Sequence, residues 1–307
     1  MSDKINIHFL GTSASTPTKD RGLSSLLINY KGGNYLFDCS ENTQRQILKI
    51  NQSILKVKYI FFTHLHGDHF YGLFGLLSSM SLNKREEELF IVSPKSQLPY
   101  LKDVLDVLKI NLTFKINFIE ATPNKKINLK NIEISIIKLN HSIETFGYVF
   151  KIKDKVGKFD KKKAINLKIP EGPLYKKLEE GKTITVNGKK IKPAQVIDFN
   201  YKKKGSKIIY FTDTQVLKKS LKVLDSPDVL IHECTFSSIE KDKAKDLKHS
   251  FTEDVCNFAK KIKAKSLYLT HISSRYKSSD VHTKECRKIF KKVKVANDLD
   301  SIQINDY

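Results

Sequence analysis

The sequence predicts a layered α/β fold, and three observations carry that reading. Short β-branched and aromatic runs alternate with stretches whose apolar residues recur every three or four positions. Several runs are almost wholly apolar, as strands are when both faces of a sheet are covered. One stretch, roughly 155–200, breaks the rhythm and reads as an excursion from the core. In chain order, residues 5–10, 25–30 and 35–38 read as strands, 44–49 as a short helix, and 59–63 as an apolar strand. A helix over 71–80, a strand over 90–93, a helix over 98–108 and an isoleucine-rich strand over 132–138 continue the alternation. After the break come strands over 208–212 and 229–232, a helix over 252–262, a strand over 267–270 and a helix over 283–290. Within the break, Gly157, Pro170, Gly172, Pro173, Gly181, Gly188 and Pro193 punctuate a lysine-rich segment with few apolar positions.

The chain has 307 residues, long enough for one large domain with an insertion or for two domains. At 40% apolar and 29% charged it is neither disordered throughout nor fibrous. No apolar run approaches the roughly 18–20 residues of a bilayer span, and Met-Ser-Asp-Lys opens without an apolar signal region, so a cytoplasmic protein with no membrane partner is expected. Cys39, Cys234, Cys256 and Cys286 are far apart and form no CxxC pair; they read as buried thiols.

Net charge is +22, a balance that favours polyanions, of which nucleic acid is the commonest large one. Lysine supplies 50 of the 55 basic residues, a bias that base composition of the genome or thermophily could also produce. Distribution discriminates better: residues 151–204 hold 17 lysines against six acidic residues, so half the net charge is local.

The strongest chemical signal is Thr63-His64-Leu65-His66-Gly67-Asp68-His69, where an apolar strand ends and a helix begins. Three imidazoles and a carboxylate so close together are costly to pack without a metal. A turn after a strand can aim alternate residues, His64 and His66, at one ion, while Asp68 and His69 point elsewhere.

HxHxDH resembles the signature of the metallo-β-lactamase superfamily, whose members bind one or two metal ions between two stacked αβ halves. That resemblance implies a four-layer αβ/βα sandwich and further ligands at strand ends, where His141, Asp213 and His271 stand. By similarity, metal one takes His64, His66 and His141, metal two takes Asp68, His69 and His271, and Asp213 bridges them. Such a two-metal site lowers the pKa of a bound water toward 7 and clamps attacking and leaving oxygens, which is hydrolytic chemistry.

Other segments narrow the resemblance. They are Gly11-Thr12-Ser13, Pro17-x-Lys19-x-Arg21, Phe37-Asp38-Cys39, Glu41-x-Thr43-Gln44-Arg45-Gln46, the run from His66 to Met80, His232-Glu233-Cys234-Thr235-Phe236, His249-Ser250, and Leu269 to Tyr276. Together these resemble ribonuclease Z, the endonuclease that removes the 3′ trailer from precursor tRNA and leaves a 3′-hydroxyl. The resemblance implies two zinc ions per subunit, with manganese or iron as possible substitutes, and a homodimer. Residues 169–175 with Leu178 and Gly181 resemble that family's flexible arm, so Gly172 and Pro173 are expected to contact tRNA, and lysines on an extended arm could reach several phosphates. It also implies Asp68 as both ligand and general base, and Glu233 as the carboxylate holding His249 protonated for the leaving O3′. Lys19, Arg21 and Arg275 are the further substrate-binding candidates, and His8, His232 and His282 read as non-catalytic. Departures from the family pattern are Gly22 in place of Asn, Ser40 and Asn42 in place of glycines, Phe74 in place of a proline, and Phe251 in place of Thr; none removes a ligand. Two other classes compete: a small-substrate phosphodiesterase or arylesterase of the same superfamily, against which the basic segment speaks, and a basic RNA-binding protein with a relic site, against which the intact ligands speak.

Overall fold

Side-chain alternation sets the layering. In strands Gly33–Phe37 and Val57–Phe61, Leu36 and Ile60 join an apolar cluster with Ile47, Leu73, Leu76, Leu77 and Leu101 from the helices Thr43–Lys49, Leu73–Leu82 and Leu98–Leu108. Their neighbours Phe37 and Phe61 point to the opposite face, stack on each other at 4.9 Å, and meet Tyr148 at 5.7 and 5.2 Å. Tyr148 belongs to a second sheet, whose other face packs on helices Thr252–Lys261 and Asp280–Arg287 through Val149, Ile209, Leu230, Val255, Phe258 and Cys286. Helix, sheet, sheet, helix is therefore the order of layers. Each fully buried aromatic between the sheets contributes roughly 1.5–3 kcal/mol of burial free energy.

The computed structural model describes residues 3–219 and 221–306. One unit runs to Ile152 and resumes from Ser206 to Asp306; a second spans Lys153–Gly205. In the first, one sheet has the order Ser301–Asp306, Asp3–Gly11, Ser25–Tyr30, Gly33–Phe37, Val57–Phe61, Leu89–Pro94, Ile116–Ala121. The other runs Val293–Val295, Leu267–Thr270, Val229–Glu233, Lys207–Phe211, Phe146–Ile152, Ile132–Lys138, Lys126–Asn128. Gly33–Phe37 to Ile116–Ala121 are parallel, as are Lys207–Phe211 to Val293–Val295. Chemistry in such sheets gathers at the carboxyl ends of parallel strands, and Asp38, His64, Asp213, Glu233 and His271 all end or follow one.

Several expectations need correction. Strands Phe146–Ile152, Ile116–Ala121 and Ser301–Asp306 go beyond those that the sequence pattern announces. The helix expected over 71–80 is Leu73–Leu82, preceded by the short turn Gly67–Phe70, and that expected over 283–290 is Asp280–Arg287. Between the first two, Gly72 gives its N–H to the Cys39 carbonyl at 3.0 Å, an approach only glycine fits, since a Cβ there would lie 1.9 Å from the Ser40 carbonyl oxygen. Of the four cysteines, Cys39 and Cys234 are buried thiols, but Cys256 and Cys286 form a disulfide with Cα atoms 5.7 Å apart. Packing of their two helices creates a proximity that a spacing of 30 residues does not reveal.

The second unit is not an extended arm. Lys155–Phe159 pairs with Ile197–Lys203, Ile184–Val186 pairs with Lys189–Ile191, and Lys161–Asn166 and Pro173–Glu179 are helices. Ala164, Ile169, Leu178, Ile184, Ile191 and Val196 form its own buried core. These residues come one or two per turn-bounded segment, too sparse to show a periodicity, while Lys161, Lys162, Lys163, Lys176, Lys177, Lys189 and Lys190 remain on the surface.

Candidate metal centre

Seven side chains converge as two groups that share one member. His64, His66, His141 and Asp213 place one ligand-type atom each within 4.8 Å of the others, and so do Asp68, His69, Asp213 and His271. Asp213 divides its oxygens between them. Its Oδ2 lies 3.7 Å from His64 Nε2 and 3.8 Å from His141 Nε2, while Oδ1 lies 3.2 Å from His69 Nε2 and 3.0 Å from His271 Nε2. Asp68 Oδ2 completes the second group at 3.4 Å from His69 Nε2 and 3.8 Å from His271 Nε2.

Local backbone and hydrogen bonding explain why these atoms face inward. Asp38, Asp213 and His271 leave their strands with φ of 57, 49 and 56°, a left-handed turn that costs a non-glycine residue roughly 1 kcal/mol or more and concentrates at functional sites. Four of the five imidazoles are tied at Nδ1. His69 donates to Asp38 Oδ2 at 2.9 Å and His141 to the Lys248 carbonyl at 3.3 Å. The Thr63 hydroxyl gives its hydrogen to Asp38, so it accepts from His64 Nδ1 at 3.0 Å. The Thr235 hydroxyl gives its hydrogen to Glu233, so it accepts from His271 Nδ1 at 2.9 Å. In all four rings Nδ1 is engaged and Nε2 faces the centre, the orientation a metal ligand needs. His66 is the exception, presenting Nδ1 at 3.0 Å from His64 Nε2.

The donor set fits a divalent cation. His69 Nε2 and His271 Nε2 are buried with no hydrogen-bond partner. Burial holds His64, His66 and His141 below their ordinary range and hence neutral. Burial would raise Asp213, yet His271 and His69 facing it hold it well below the usual carboxylate range, so it stays ionised.

A second constellation adjoins the first. Buried Glu233 accepts His249 Nδ1–H at 2.9 Å and Thr214 N–H at 2.8 Å through Oε1, and Thr235 N–H at 3.0 Å and Oγ1–H at 2.7 Å through Oε2. Burial opposes both charges, but each partner outweighs it for the other: Glu233 is held at about 2 and His249 is raised to about 9. His249 is delivered by a helix end. After Lys241–Asp246, His249 N–H bonds the Ala244 carbonyl at 2.8 Å and Lys248 N–H bonds the Lys245 carbonyl at 3.1 Å, with Lys248 at φ 55°. That is the Schellman pattern of a left-handed C-cap. His249 then shares with Ser15, His66, Asp68, His141, Asp213 and Lys248 the lining of a cleft of 380 Å³.

The remaining sequence candidates divide. Lys19 is exposed on the loop that precedes Gly22. Arg21 is half-buried, and its Nη1 donates to Thr12 Oγ1 and the Ala296 carbonyl at 2.6 Å each and its Nη2 to Asn297 Oδ1 at 2.8 Å. Arg275 is exposed, paired with Glu240 and lying 4.8 Å over the Phe236 ring. Gly172, at φ 122°, turns the chain into helix Pro173–Glu179, in which Pro173 is the first residue. His8 bonds Ser301, and His232 bonds the Glu233 carbonyl. His282 packs edge-on against Tyr276 and burial lowers it to about 4. Sequence reasoning misses Asp38, Thr63, Thr214 and Thr235, which orient ligands or the acid pair. It also misses Ser15, whose amide donates to Asp68 Oδ2 at 3.0 Å. The one available signal is Asp38, a charged residue ending an apolar strand.

Comparison with known proteins bears on the family and the fold. Residues 5–162 match the family model described as anti-Pycsar protein Apyc1. A metallo-beta-lactamase fold protein of Bacillus subtilis superposes with a TM-score of 0.70 over 98% of this chain and 100% of that one; at 16% identity it shows the fold alone. The human tRNase Z, short form, superposes with a TM-score of 0.69 at 25% identity, covering 97% of this chain and 98% of that one. Ribonuclease Z of Saccharolobus solfataricus is 38% identical over 98% of this chain and 99% of its own. Ribonuclease Z of Nitrosopumilus maritimus is 40% identical over 98% of this chain and 100% of its own. With two such full-length relatives, this chain belongs to the ribonuclease Z family.

Proposed function

We propose that this chain is a metal-dependent endoribonuclease that cuts the 3′ trailer from precursor tRNA, leaving a 3′-hydroxyl on the tRNA and a 5′-phosphate on the trailer. The observation that carries the reading is the sharing of Asp213 by two adjacent ligand groups, with a protonated His249 lining the same cleft. His64, His66 and His141 would hold one ion, Asp68, His69 and His271 a second, and Asp213 both; zinc suits this nitrogen and oxygen set, and manganese or iron could replace it. Bound there, such ions supply Lewis-acid activation of water and charge neutralisation at phosphorus.

The chain's own groups do the rest. Asp68, kept ionised because His271 and His69 outweigh its burial, accepts the proton of the attacking water. His249, held by Glu233 at Nδ1, presents its other nitrogen to the departing O3′ and gives it the proton without which an alkoxide leaves poorly. The exposed lysines of Lys153–Gly205, around Gly172-Pro173, bind the phosphates of the tRNA body, and Lys19 binds near its 3′ end. Their contribution is salt-dependent affinity with no base readout. On the same reading the enzyme works in the cytoplasm, with its substrate, as a homodimer.

The competing small-substrate reading is tested by comparing kcat/KM for a precursor tRNA and for bis-p-nitrophenyl phosphate. The expected result is a preference for the tRNA by orders of magnitude; a preference for the small diester would move the assignment to that class.

A further inference from the structure

The loop between Thr12 and Gly22 reaches the metal centre from outside the strands that carry the ligands, and its neck is held from the far end of the chain. Thr12 N–H and Ser13 N–H bond the Gly22 carbonyl at 3.0 and 2.8 Å, closing the loop on itself. At that neck sits Asp298. Its Oδ1 accepts the Thr12 hydroxyl at 2.7 Å, and its Oδ2 accepts Gly22 N–H at 2.7 Å and Gln46 Nε2–H at 3.1 Å. One carboxylate thus grips both strands of the neck and ties them to helix Thr43–Lys49. Arg21 completes the knot, donating to the same Thr12 hydroxyl and to Ala296 and Asn297 of the turn that precedes Asp298. Gly22 is part of the fit, since a Cβ there would lie 3.3 Å from Asp298 Oδ2.

From this neck the loop touches the second ligand group twice. The Thr12 carbonyl accepts Ile272 N–H at 2.9 Å, and Ser13–Ala14 pairs in parallel with Ile272–Ser273, the two residues after His271. Ser15, at φ 50°, donates its amide to Asp68 Oδ2, the same oxygen that faces His69 and His271. Nothing comparable ties the loop to His64, His66 or His141 among the described residues.

We propose that Asp298 is a positioning residue for the second ligand group, setting Asp68 and His271 through the neck of the Thr12–Gly22 loop. This inference rests on the two-group reading of the site. Ser15 N–H is the outer hydrogen-bond partner of Asp68, and loss of such a partner typically shifts metal affinity by about 10–100-fold; Asp298 acts on it through the neck, so the loss should fall on one group.

The test uses the full-length enzyme with Asp298→Asn, Thr12→Val and Thr12→Ser. Asp298→Asn puts an amide against the Gly22 and Gln46 donors; Thr12→Val removes one hydroxyl donor; Thr12→Ser retains it. Chelator competition against zinc should show one of two ions weakened by about tenfold or more in Asp298→Asn and Thr12→Val, the other unchanged, and both near wild type in Thr12→Ser. kcat on precursor tRNA should fall with KM little altered. Exchange of the Ser15 amide with solvent should accelerate in the same two variants, a readout that needs no metal. Equal weakening of both ions alongside a lower melting temperature would make Asp298 merely structural, and wild-type metal affinity with unchanged Ser15 exchange would overturn the proposal outright. If Asp298→Asn does not fold, Thr12→Val decides by the same criteria. Failure of wild-type enzyme to bind two ions would instead count against the two-group site, and Ser15 exchange would still decide the role of Asp298.

Discussion

Glu233→Gln should leave the chain folded but move the working pH of the enzyme. In the structure, burial and Glu233 pull His249 in opposite directions, and the carboxylate prevails, raising the imidazole to about 9 from its ordinary 6.5. An imidazole with a pKa of about 9 is roughly 90% protonated at pH 8, whereas one at 6.5 is roughly 3% protonated, so neutralising residue 233 should slow proton delivery about 30-fold at that pH. Burial remains in the variant and still lowers His249, which makes that figure a lower bound. The loss should shrink steadily as pH falls toward the lowered pKa of His249 in the variant. The sign follows from the role: an acid works only while protonated, so kcat should fall as pH rises through about 9 in the wild type and through 6.5 or lower in Glu233→Gln. The assay is single-turnover cleavage of a labelled precursor tRNA from pH 5.5 to 9.5, run beside bis-p-nitrophenyl phosphate, whose p-nitrophenolate leaves with little help. A loss of equal size at every pH, or the same loss on both substrates, would refute the acid pair and return Glu233 to a structural role.

Asp213→Ala should cost more than His66→Ala in bound metal by elemental analysis and should abolish hydrolysis, because two cations a few ångström apart need the anion between them. Retention of full metal content and activity would remove the bridge. Replacing Lys153–Gly205 with a Gly/Ser linker should leave the first unit folded, since the second has its own apolar core. Hydrolysis of bis-p-nitrophenyl phosphate should survive while tRNA affinity falls and its salt dependence flattens by roughly one unit of slope for each phosphate no longer neutralised. An unchanged slope would make that unit a solvated module with no hold on tRNA.

What can be read from the sequence follows from how local each signal is. HxHxDH is visible because four side chains on one strand-to-helix turn lie within a few residues. A strand buried on both faces is visible as a nearly unbroken apolar run. His141, Asp213 and His271 can be ordered only through resemblance, since each is alone in its segment and its partners lie on other strands. Asp38, Thr235, Ser15 and Asp298 act across 14 to 286 residues of sequence, and no spacing announces them. Arg21 and Arg275 are singled out only through the resemblance, and their protein partners, Ala296, Asn297 and Glu240, are visible only in three dimensions. The second unit reads as an extended arm for a related reason: its core draws a few residues from each of two short helices and several short strands, each too brief to show a period.

The most direct test of the central claim is to incubate the purified enzyme with a precursor tRNA labelled at its 5′ end, with and without a chelator, and to map every end produced. The account predicts one cut at the junction of tRNA and trailer, a 3′-hydroxyl on the tRNA and a 5′-phosphate on the released trailer. It also predicts loss of cleavage with chelator and recovery when zinc or manganese is restored. Cuts at unrelated internal positions, or cleavage indifferent to the chelator, would contradict it.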